Sequence, residues 1–480
     1  YYTLAIARII TGNWFDATGV TFSFWMIVGC LGVYFWSREF FSKAESSLAG
    51  IFYALSPFHL AQIYQFFTYG EFVASSIIPF SFLFATRFCR QKKLADLLLL
   101  SCSYALLILS HIPSALIVSI TLAIYSAMIL DWKQWVKSIS GLGTAFLIGA
   151  AASSFHWIKV VTEMNWLNHT TPTFSTGLYD YKNYFFPYSI SFTGNFWATY
   201  LWLLFVVTIL ASLSLLLPAI FSLIKRTQTT AIKDFRGAMI TGAFALFMST
   251  PLSLFIWEAI PVLQRIQFAW RWFSVVTIVG VIAFAGLVYP LIKSFKSNRI
   301  LTYSVLFFFS GLLAFNYLQI IIPSAQQSRV MFEEKMSNLI NEKSFDCWWT
   351  IWAKEEAFDN QEKVSALSRK VTVTNWEREQ RNFEVTVGEV QDLRVATFYY
   401  PYWQAKINGE NVQTKLNDDG TILIPIPKET CKVSLFFDEP FFVKITKVIS
   451  LLSWCFLALF GINSLIKKFK NKPKLPLTKI

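Results

Sequence analysis

Apolar residues recur in long blocks along this chain, and short polar or basic stretches separate the blocks. We identify eleven apolar segments, at 18–37, 45–57, 72–86, 94–110, 113–130, 138–158, 197–223, 237–256, 269–292, 300–322 and 444–466. About 20 consecutive apolar residues are enough for a helix to cross a bilayer. The pattern therefore predicts a polytopic α-helical membrane protein. Segments 45–57 and 72–86 are short for a crossing, so a re-entrant pair is an alternative there.

A polar segment, 323–443, precedes the last apolar block. It begins with a helix-like stretch, and from about residue 370 it alternates with period two, as in "KVTVTNW" and "NFEVTVG". Asn408-Gly409 lies between two such runs and is typical of a type I′ hairpin. We predict a transmembrane domain at 1–322, a domain at 323–443 with a helical start and a β-sandwich, a final transmembrane helix at 444–466, and a basic tail at 467–480.

Composition and charge agree with a membrane protein and argue against a nucleic-acid partner. Only 15% of the 480 residues are charged, whereas soluble domains contain about 25%. The net charge is +13, but 323–443 carries 14 basic and 19 acidic residues. The remainder carries 28 basic and 10 acidic residues, and this excess lies in short loops between apolar segments. Positive charge in such loops indicates membrane topology.

The basic loops alternate strictly along the chain. Loops that follow odd-numbered segments hold 21 of those 28 basic residues, so we place them in the cytoplasm together with the C-terminal tail. The remaining loops and the β domain are then extracytoplasmic; they comprise 1–17, 58–71, 111–112, 159–196, 257–268 and 323–443. With Tyr1 outside, we expect a preceding helix. Cys347 and Cys431 share the polar segment, and the sequence leaves open whether they pair.

The predicted outer loops contain the acids, imidazoles and cations that could carry chemistry. Each also has a structural interpretation: Glu71, at a helix start, could stabilise the helix dipole, and Arg271 could extend its charge to the membrane surface. An ionisable group at membrane depth is nevertheless a functional candidate by default. Seven residues are therefore site candidates: His59, Glu71, His111, Glu163, Asp180, Arg265 and Arg271.

Three stretches resemble one known family, and a fourth resembles a separate module. "LAGIFYALSPFHLAQIYQFFTYGEFVASSIIPF" is similar to the signature of bacterial integral membrane proteins labelled 6-pyruvoyl-tetrahydropterin-synthase-related. "FHWIKVVTEMNWL" and "LQRIQFAWRWFSVV" resemble two further motifs of that family, although Ala269 stands where a proline is usual. "YYPYWQAKINGE" resembles a module associated with sugar transferases.

These proteins are similar to the GT-C superfamily of polytopic glycosyltransferases. The resemblance implies a GT-C-like fold, and an enzyme that moves a sugar from a polyprenyl-phosphate carrier to an acceptor on the extracytoplasmic face of the bacterial inner membrane. Partners would be that lipid-linked sugar, membrane lipid, and a glycan, lipid or protein acceptor. GT-C enzymes usually carry their catalytic acid in the first outer loop, which we expect upstream of Tyr1.

The resemblance also implies roles for the candidates. Glu71 would be a base or a ligand of a divalent cation such as Mg²⁺ or Mn²⁺, because transfer needs proton removal and positive charge at the departing phosphate. Arginine is suited to bidentate phosphate contacts. The remaining roles are catalytic for His111 and Glu163, and substrate-binding for Arg265, Arg271, Asp180 and His59.

Two alternatives from other classes stay open. One is a non-catalytic GT-C-like scaffold subunit of an envelope assembly. The other is a transporter of a lipid-linked sugar, for which charged or broken helices are expected near the midplane. Pro79 and Pro113 give that second alternative its support, whereas the charges lie at the membrane edges.

Overall fold

The computed structural model describes residues 2–64, 68–172, 180–185, 230–294 and 346–470, together with residues 322 and 334. The chain divides into two compact units. Unit 1 comprises Tyr1–Trp157, Asp180–Ile340 and Ile449–Ile480, and unit 2 comprises Ile158–Tyr179 and Asn341–Val448. Segment 197–223, nearly all of 300–322 and nearly all of the predicted helical stretch 328–344 lie outside the described residues.

The described part of the chain is mainly helical before residue 295. The helices there are α1 Tyr2–Thr11, α2 Trp14–Ser37, α3 Lys43–Ala54, α4 Pro57–Tyr64, α5 Tyr69–Gln91, α6 Leu94–Ser110, α7 Ile112–Ile129, α8 Trp135–Ala152, α9 Ser154–Glu163, α10 Thr230–Met248, α11 Leu254–Ala259, α12 Pro261–Gln264 and α13 Phe273–Ser294. A last helix, α14, follows the strands at Phe441–Lys470.

Six helices of the described residues are long and apolar enough to cross a membrane. They occupy Trp14–Ser37, Tyr69–Gln91, Ile112–Ile129, Trp132–Ala152, Ala269–Gly286 and Phe441–Asn463. A seventh candidate is a pair, Lys233–Met248 and Pro251–Ala259, bent by 89°. The chain is therefore a membrane protein with several apolar helices, as predicted, although eleven crossings are not found among these residues.

Three predicted boundaries need correction. Segment 72–86 is part of the 23-residue helix α5, which is long enough to cross, so it does not need a re-entrant interpretation. Segment 45–57 is the 12-residue helix α3, which is too short. Segment 138–158 is interrupted, because α8 ends at Ala152 and α9 starts at Ser154.

Helix α5 is the central helix of unit 1. Of its apolar window, 83% is buried, against 17% for α14, where Leu451, Leu452 and Leu459 are exposed as expected for lipid contact. Hydroxyl groups join α5 to its neighbours: the Trp36 indole donates to Thr86 Oγ1 at 3.2 Å, and Thr86 Oγ1 lies 2.7 Å from the Tyr125 hydroxyl. Such interhelical hydrogen bonds are typical of packed membrane helices.

Ion pairs lie at both ends of α5. At one end Arg90 contacts Asp234 at 2.5 Å and Glu39 at 2.7 Å. At the other end Glu71 contacts Arg271 at 3.2 Å. The two ends of the helix, from Glu71 to Arg90, are about 29 Å apart at 1.5 Å per residue, close to the thickness of a hydrocarbon core. These pairs join loops that we predicted on the same side, but which end faces outside stays a prediction.

Unit 2 contains the predicted β structure. Its strands are β1 Val364–Ser365, β2 Val371–Trp376, β3 Gln380–Val385, β4 Gln391–Phe398, β5 Trp403–Ile407, β6 Glu410–Val412, β7 Lys415–Leu416, β8 Thr421–Ile426 and β9 Cys431–Phe437. They form two antiparallel sheets with the orders β1-β4-β8-β7 and β2-β3-β9-β5-β6. Alternate residues of both sheets form one apolar core, including Phe383, Leu393, Ile424 and Leu435.

The Asn408-Gly409 turn joins β5 to β6, and the two residues have φ of 50° and 95°, as a type I′ turn requires. Buried Arg369 donates through its guanidinium to backbone carbonyls of Thr386, Glu389 and two residues near the start of β9. Cys347 and Cys431 are both buried free thiols, so the structure contains no disulfide between them.

Candidate functional site

Glu71 opens the central helix of unit 1. It lies in the first turn of α5, where the helix dipole favours a negative charge, and it is 3% exposed. Gly70 makes this position possible, because a Cβ there would lie 2.9 Å from the carbonyl oxygen of Ser110. The start of α5 therefore packs directly against the end of α6, and the Glu71 carboxylate is enclosed by protein.

Arg271 is the counter-ion of Glu71. Its Nε donates to Glu71 Oε2 at 3.2 Å, and its Nη1 donates to the carbonyl of Ile266 and to Gln267 Oε1. Gln267 has a φ of 66°, an unusual backbone conformation that turns the loop back over the guanidinium. The guanidinium also lies 4.7 Å from the centre of the Phe268 ring. The loop before α13 therefore holds the charge in one orientation.

His111 occupies the break between α6 and α7. Its extended backbone (φ −163°) ends one helix and starts the next, and its Nδ1 accepts a hydrogen bond from the Ser114 amide at 3.3 Å. Burial and then the positive charge of Arg271 lower the pKa of His111 well below its usual value. The imidazole is therefore neutral at physiological pH and lies within the electrostatic range of Arg271.

Helix α4 adds two fully buried polar side chains. The Gln62 amide donates to Glu71 Oε1 at 3.0 Å, so each carboxylate oxygen of Glu71 has a donor. His59, one turn earlier, packs against Tyr53 with ring centres 4.1 Å apart. Glu71, Arg271, His111 and these two residues come from four separate parts of the sequence and define what we call the Glu71 cluster.

Asp180 and Arg265 lie outside the Glu71 cluster. Asp180 accepts a hydrogen bond from the Lys182 amide at 3.0 Å and starts the short helical turn Tyr181–Tyr184. Tyr184 of that turn packs edge-on against Phe268, so the segment adjoins the loop that leads to Arg271. Arg265 is exposed, and among the described residues its side chain has no hydrogen-bond or ion-pair partner.

Glu163 belongs to unit 2. It ends α9, is 6% exposed, and accepts a hydrogen bond from the Tyr400 hydroxyl. Burial and Glu163 together raise the pKa of Tyr402 to about 12. Trp166 packs edge-on against both tyrosines, at 5.1 and 5.3 Å. Glu163 is therefore part of a packed aromatic cluster within its own unit.

Comparison with known families provides one match. The family model of the 6-pyruvoyl-tetrahydropterin synthase related domain, described as a membrane protein, matches residues 1–320, two thirds of the chain. The chain belongs to this family of membrane proteins. Neither a curated protein nor a solved structure matches it. The resemblance to this family is thereby confirmed, whereas the wider assignment to GT-C glycosyltransferases stays a prediction.

The part that matches the 6-pyruvoyl-tetrahydropterin synthase related family contains all seven candidate residues. Of these seven, the structure brings Glu71, Arg271, His111 and His59 into one cluster. Sequence reasoning missed Gln62 and Gln267. Gln62 follows His59 by three residues on α4, so helical spacing was the signal that could have found it. Gln267 depends on a loop conformation that has no comparable sequence signal.

A divalent cation does not fit the Glu71 cluster as it stands. The described residues contain no group of three or more His, Cys, Asp and Glu side chains that could hold a metal ion. Gln62 and Arg271 already donate hydrogen bonds to both oxygens of Glu71, so neither oxygen is free of a donor. The Mg²⁺ or Mn²⁺ requirement therefore stays a prediction.

Proposed function

We propose that this member of the 6-pyruvoyl-tetrahydropterin synthase related family is a GT-C-type glycosyltransferase of the bacterial inner membrane, with eleven apolar segments in this chain. It would move a sugar from polyprenyl phosphate to an acceptor on the extracytoplasmic face. The observation that carries the proposal is the Glu71–Arg271 pair, which is buried at one end of a candidate membrane span. Burying two charges is costly, and such groups in membrane helices usually serve function.

Arg271 is suited to the carrier phosphate. Its planar guanidinium can donate two parallel hydrogen bonds to a phosphate, and the Ile266 carbonyl and Gln267 hold it from one side. When the donor binds, we expect Arg271 to exchange Glu71 for the phosphate. The carboxylate is then free of its counter-ion and available as a proton acceptor.

The transfer step follows from that exchange. The acceptor hydroxyl oxygen forms a bond to the anomeric carbon while the bond from that carbon to the phosphate oxygen breaks. The bonding electron pair leaves with the polyprenyl phosphate, whose negative charge Arg271 stabilises. The acceptor proton passes to Glu71. Neutral His111, held by Ser114, can donate or accept a hydrogen bond at the reacting groups.

Other assignments rest on the sequence alone. Asp180 and Glu163 are proposed to contact the acceptor, and Arg265, being exposed, can help attract the phosphate from the membrane surface. The scaffold and transporter alternatives predict no sugar release from the donor, which makes that release the decisive measurement.

We would reconstitute the full-length protein in proteoliposomes and measure the release of sugar from a radiolabelled polyprenyl-phosphate donor. Glu71→Gln and Arg271→Ala should each lower turnover by about 100-fold or more, because they remove the base and the phosphate ligand. Asp234→Asn is the matched control, since it also removes a buried carboxylate that pairs with an arginine, at the opposite end of α5. Its turnover per folded molecule should be unchanged.

Wild-type turnover that persists in both Glu71→Gln and Arg271→Ala would eliminate the site assignment. Absence of sugar release by the wild type with every donor tested would favour the scaffold. An equal loss in Asp234→Asn would indicate that the variants act through folding alone.

A further inference from the structure

Three residues beside Glu71 have buried side-chain atoms without a hydrogen-bond partner among the described residues. These atoms are both ring nitrogens of His59, the amide oxygen of Gln62 and the hydroxyl oxygen of Ser75. All three residues are 0% exposed. A buried polar group without a partner lowers stability, so natural proteins keep few of them. Such groups near a proposed active site are candidates for ligand contact.

These groups face one region of unit 1. His59 and Gln62 are three residues apart on α4 and therefore share a face of that helix. Gln62 contacts Glu71, and Ser75 follows Glu71 by four residues on α5, on the same face. His59 also lies 6.2 Å, between ring centres, from Phe72 of α5. The unpaired atoms thus lie where α4 meets the first turns of α5, next to the Glu71–Arg271 pair.

We propose that His59, Gln62 and Ser75 bind the sugar ring of the donor, and that this sugar is neutral and rich in hydroxyl groups. The inference rests on the proposed glycosyltransferase function and specifies its substrate class. A hydroxyl both donates and accepts, so sugar hydroxyls can satisfy an imidazole nitrogen, its N–H, an amide oxygen and a serine hydroxyl together. Since these atoms are enclosed, entry of the ring requires α4 to shift relative to α5.

The charges in this region argue for a neutral sugar. Burial lowers the pKa of His59 to about 3, so its ring is uncharged at physiological pH. Gln62 and Ser75 carry no charge. The formal charges of Glu71 and Arg271 cancel, and once Arg271 binds the phosphate the donor's own anion takes the place of Glu71. A uronic acid would then add a second carboxylate beside the unpaired Glu71, and the ammonium of an amino sugar would pair with Glu71, which the transfer step needs as its base.

The test compares three donors on one polyprenyl-phosphate carrier: a neutral hexose, a hexuronic acid and an amino hexose. The full-length protein in proteoliposomes should release the neutral hexose at least tenfold faster than either charged sugar. His59→Phe and Ser75→Ala should each lower that release at least fivefold. Neither variant removes a hydrogen bond from the structure, so their unfolding temperatures should equal or exceed that of the wild type.

Tyr104→Phe is the control for a half-buried polar group that has a partner. Its hydroxyl lies 2.7 Å from Ser119 Oγ, away from α4. This variant should unfold at a lower temperature and keep the same donor preference.

The outcomes distinguish the two proposals. Faster release of a charged sugar would overturn the neutral-sugar inference and leave the glycosyltransferase proposal intact. Wild-type turnover and preference in His59→Phe and Ser75→Ala, with raised stability, would also overturn it, because the unpaired groups would then be a structural defect only. No release from any donor would refute the proposed function itself.

Discussion

At the scale of single residues, charged groups in this protein differ by what surrounds them. Glu71 and Asp234 are both buried carboxylates that pair with arginine, and Glu71 also lies beside the unpaired polar atoms of His59, Gln62 and Ser75. In unit 2, Asp419 is enclosed by donors: the Thr421 amide at 2.9 Å, the Thr421 hydroxyl at 2.5 Å and the Arg394 guanidinium at 2.7 Å. Partners therefore decide whether a carboxylate is structural.

Asp419 gives a prediction about pH. Burial opposes its ionisation, but the hydrogen bonds from Thr421 and Arg394 outweigh burial and lower its pKa below the usual value. A lowered pKa in the folded state stabilises the protein above the ordinary aspartate pKa, about 4, and this stabilisation is lost as pH falls through the lowered value. Asp419→Asn should lower the free energy of unfolding by about 1–3 kcal/mol at pH 7. It should also make that free energy depend less on pH in the acid range.

The measurement is denaturant unfolding of the full-length protein in detergent between pH 7 and pH 3, followed by tryptophan fluorescence. Asp418→Asn is the matched control, because Asp418 is the exposed neighbour. It should leave both the stability and its pH dependence unchanged. Equal effects of the two substitutions would contradict the role assigned to the Asp419 hydrogen bonds.

At the scale of elements, glycine decides how closely the helices of unit 1 approach. On α8, a Cβ at Gly149 would lie 2.8 Å from the backbone oxygen of Ser101, whereas Gly143 has open space around it. On α5, Gly70 has the same relation to Ser110. Small residues at such contacts allow membrane helices to pack closely. A glycine that contacts a backbone carbonyl of α6 thus fixes α8 against α6, and a second one positions the turn of α5 that contains Glu71.

Two substitutions on α8 test this packing. Gly149→Ala should lower the unfolding temperature in detergent, because the Ser101 carbonyl is backbone and cannot move aside without displacing α6. Gly143→Ala should be neutral or stabilising, by up to about 1 kcal/mol, since alanine favours a helix and nothing obstructs it. Thermal unfolding in one detergent measures both variants, and equal stability of the two would contradict the close contact at Gly149.

At the scale of the whole molecule, the distribution of charge sorts the loops of unit 1 into two groups. Arg90 pairs with Glu39 and Asp234, all from loops predicted to be cytoplasmic, and Glu71 pairs with Arg271, both from the predicted outer side. Contacts between distant loops therefore agree with the alternation of basic residues along the chain. They separate the two ends of the helices without showing which end faces the cytoplasm.

Orientation can be measured in intact cells with a membrane-impermeant maleimide. Single cysteines at exposed positions serve as probes: Arg265→Cys in the loop before α13, Asp418→Cys in unit 2, and Lys93→Cys at the Arg90 end. We expect labelling at the first two positions and none at the third until the cells are permeabilised. The unsubstituted protein controls for its six native cysteines. Labelling of the third alone would reverse the predicted topology.

The sequence by itself determined the membrane class, the β structure before the last helix and the Asn408-Gly409 hairpin. Each follows from local properties: the length of apolar runs, the period of two, and the φ that a tight turn requires. It also identified Glu71, Arg271 and His111 as candidates, since ionisable groups are rare in or beside apolar segments. Positive charge between apolar runs separated the loops into two groups for the same local reason.

Only the tertiary structure decided which of these candidates meet. Glu71 and Arg271 are 200 residues apart, and their contact depends on how α5 and the loop before α13 pack. The unpaired atoms of His59, Gln62 and Ser75 are a property of burial, and burial depends on neighbours that no local pattern encodes. From residue type alone, Asp180, Arg265 and Glu163 were equally good site candidates. Packing gives each of them different surroundings.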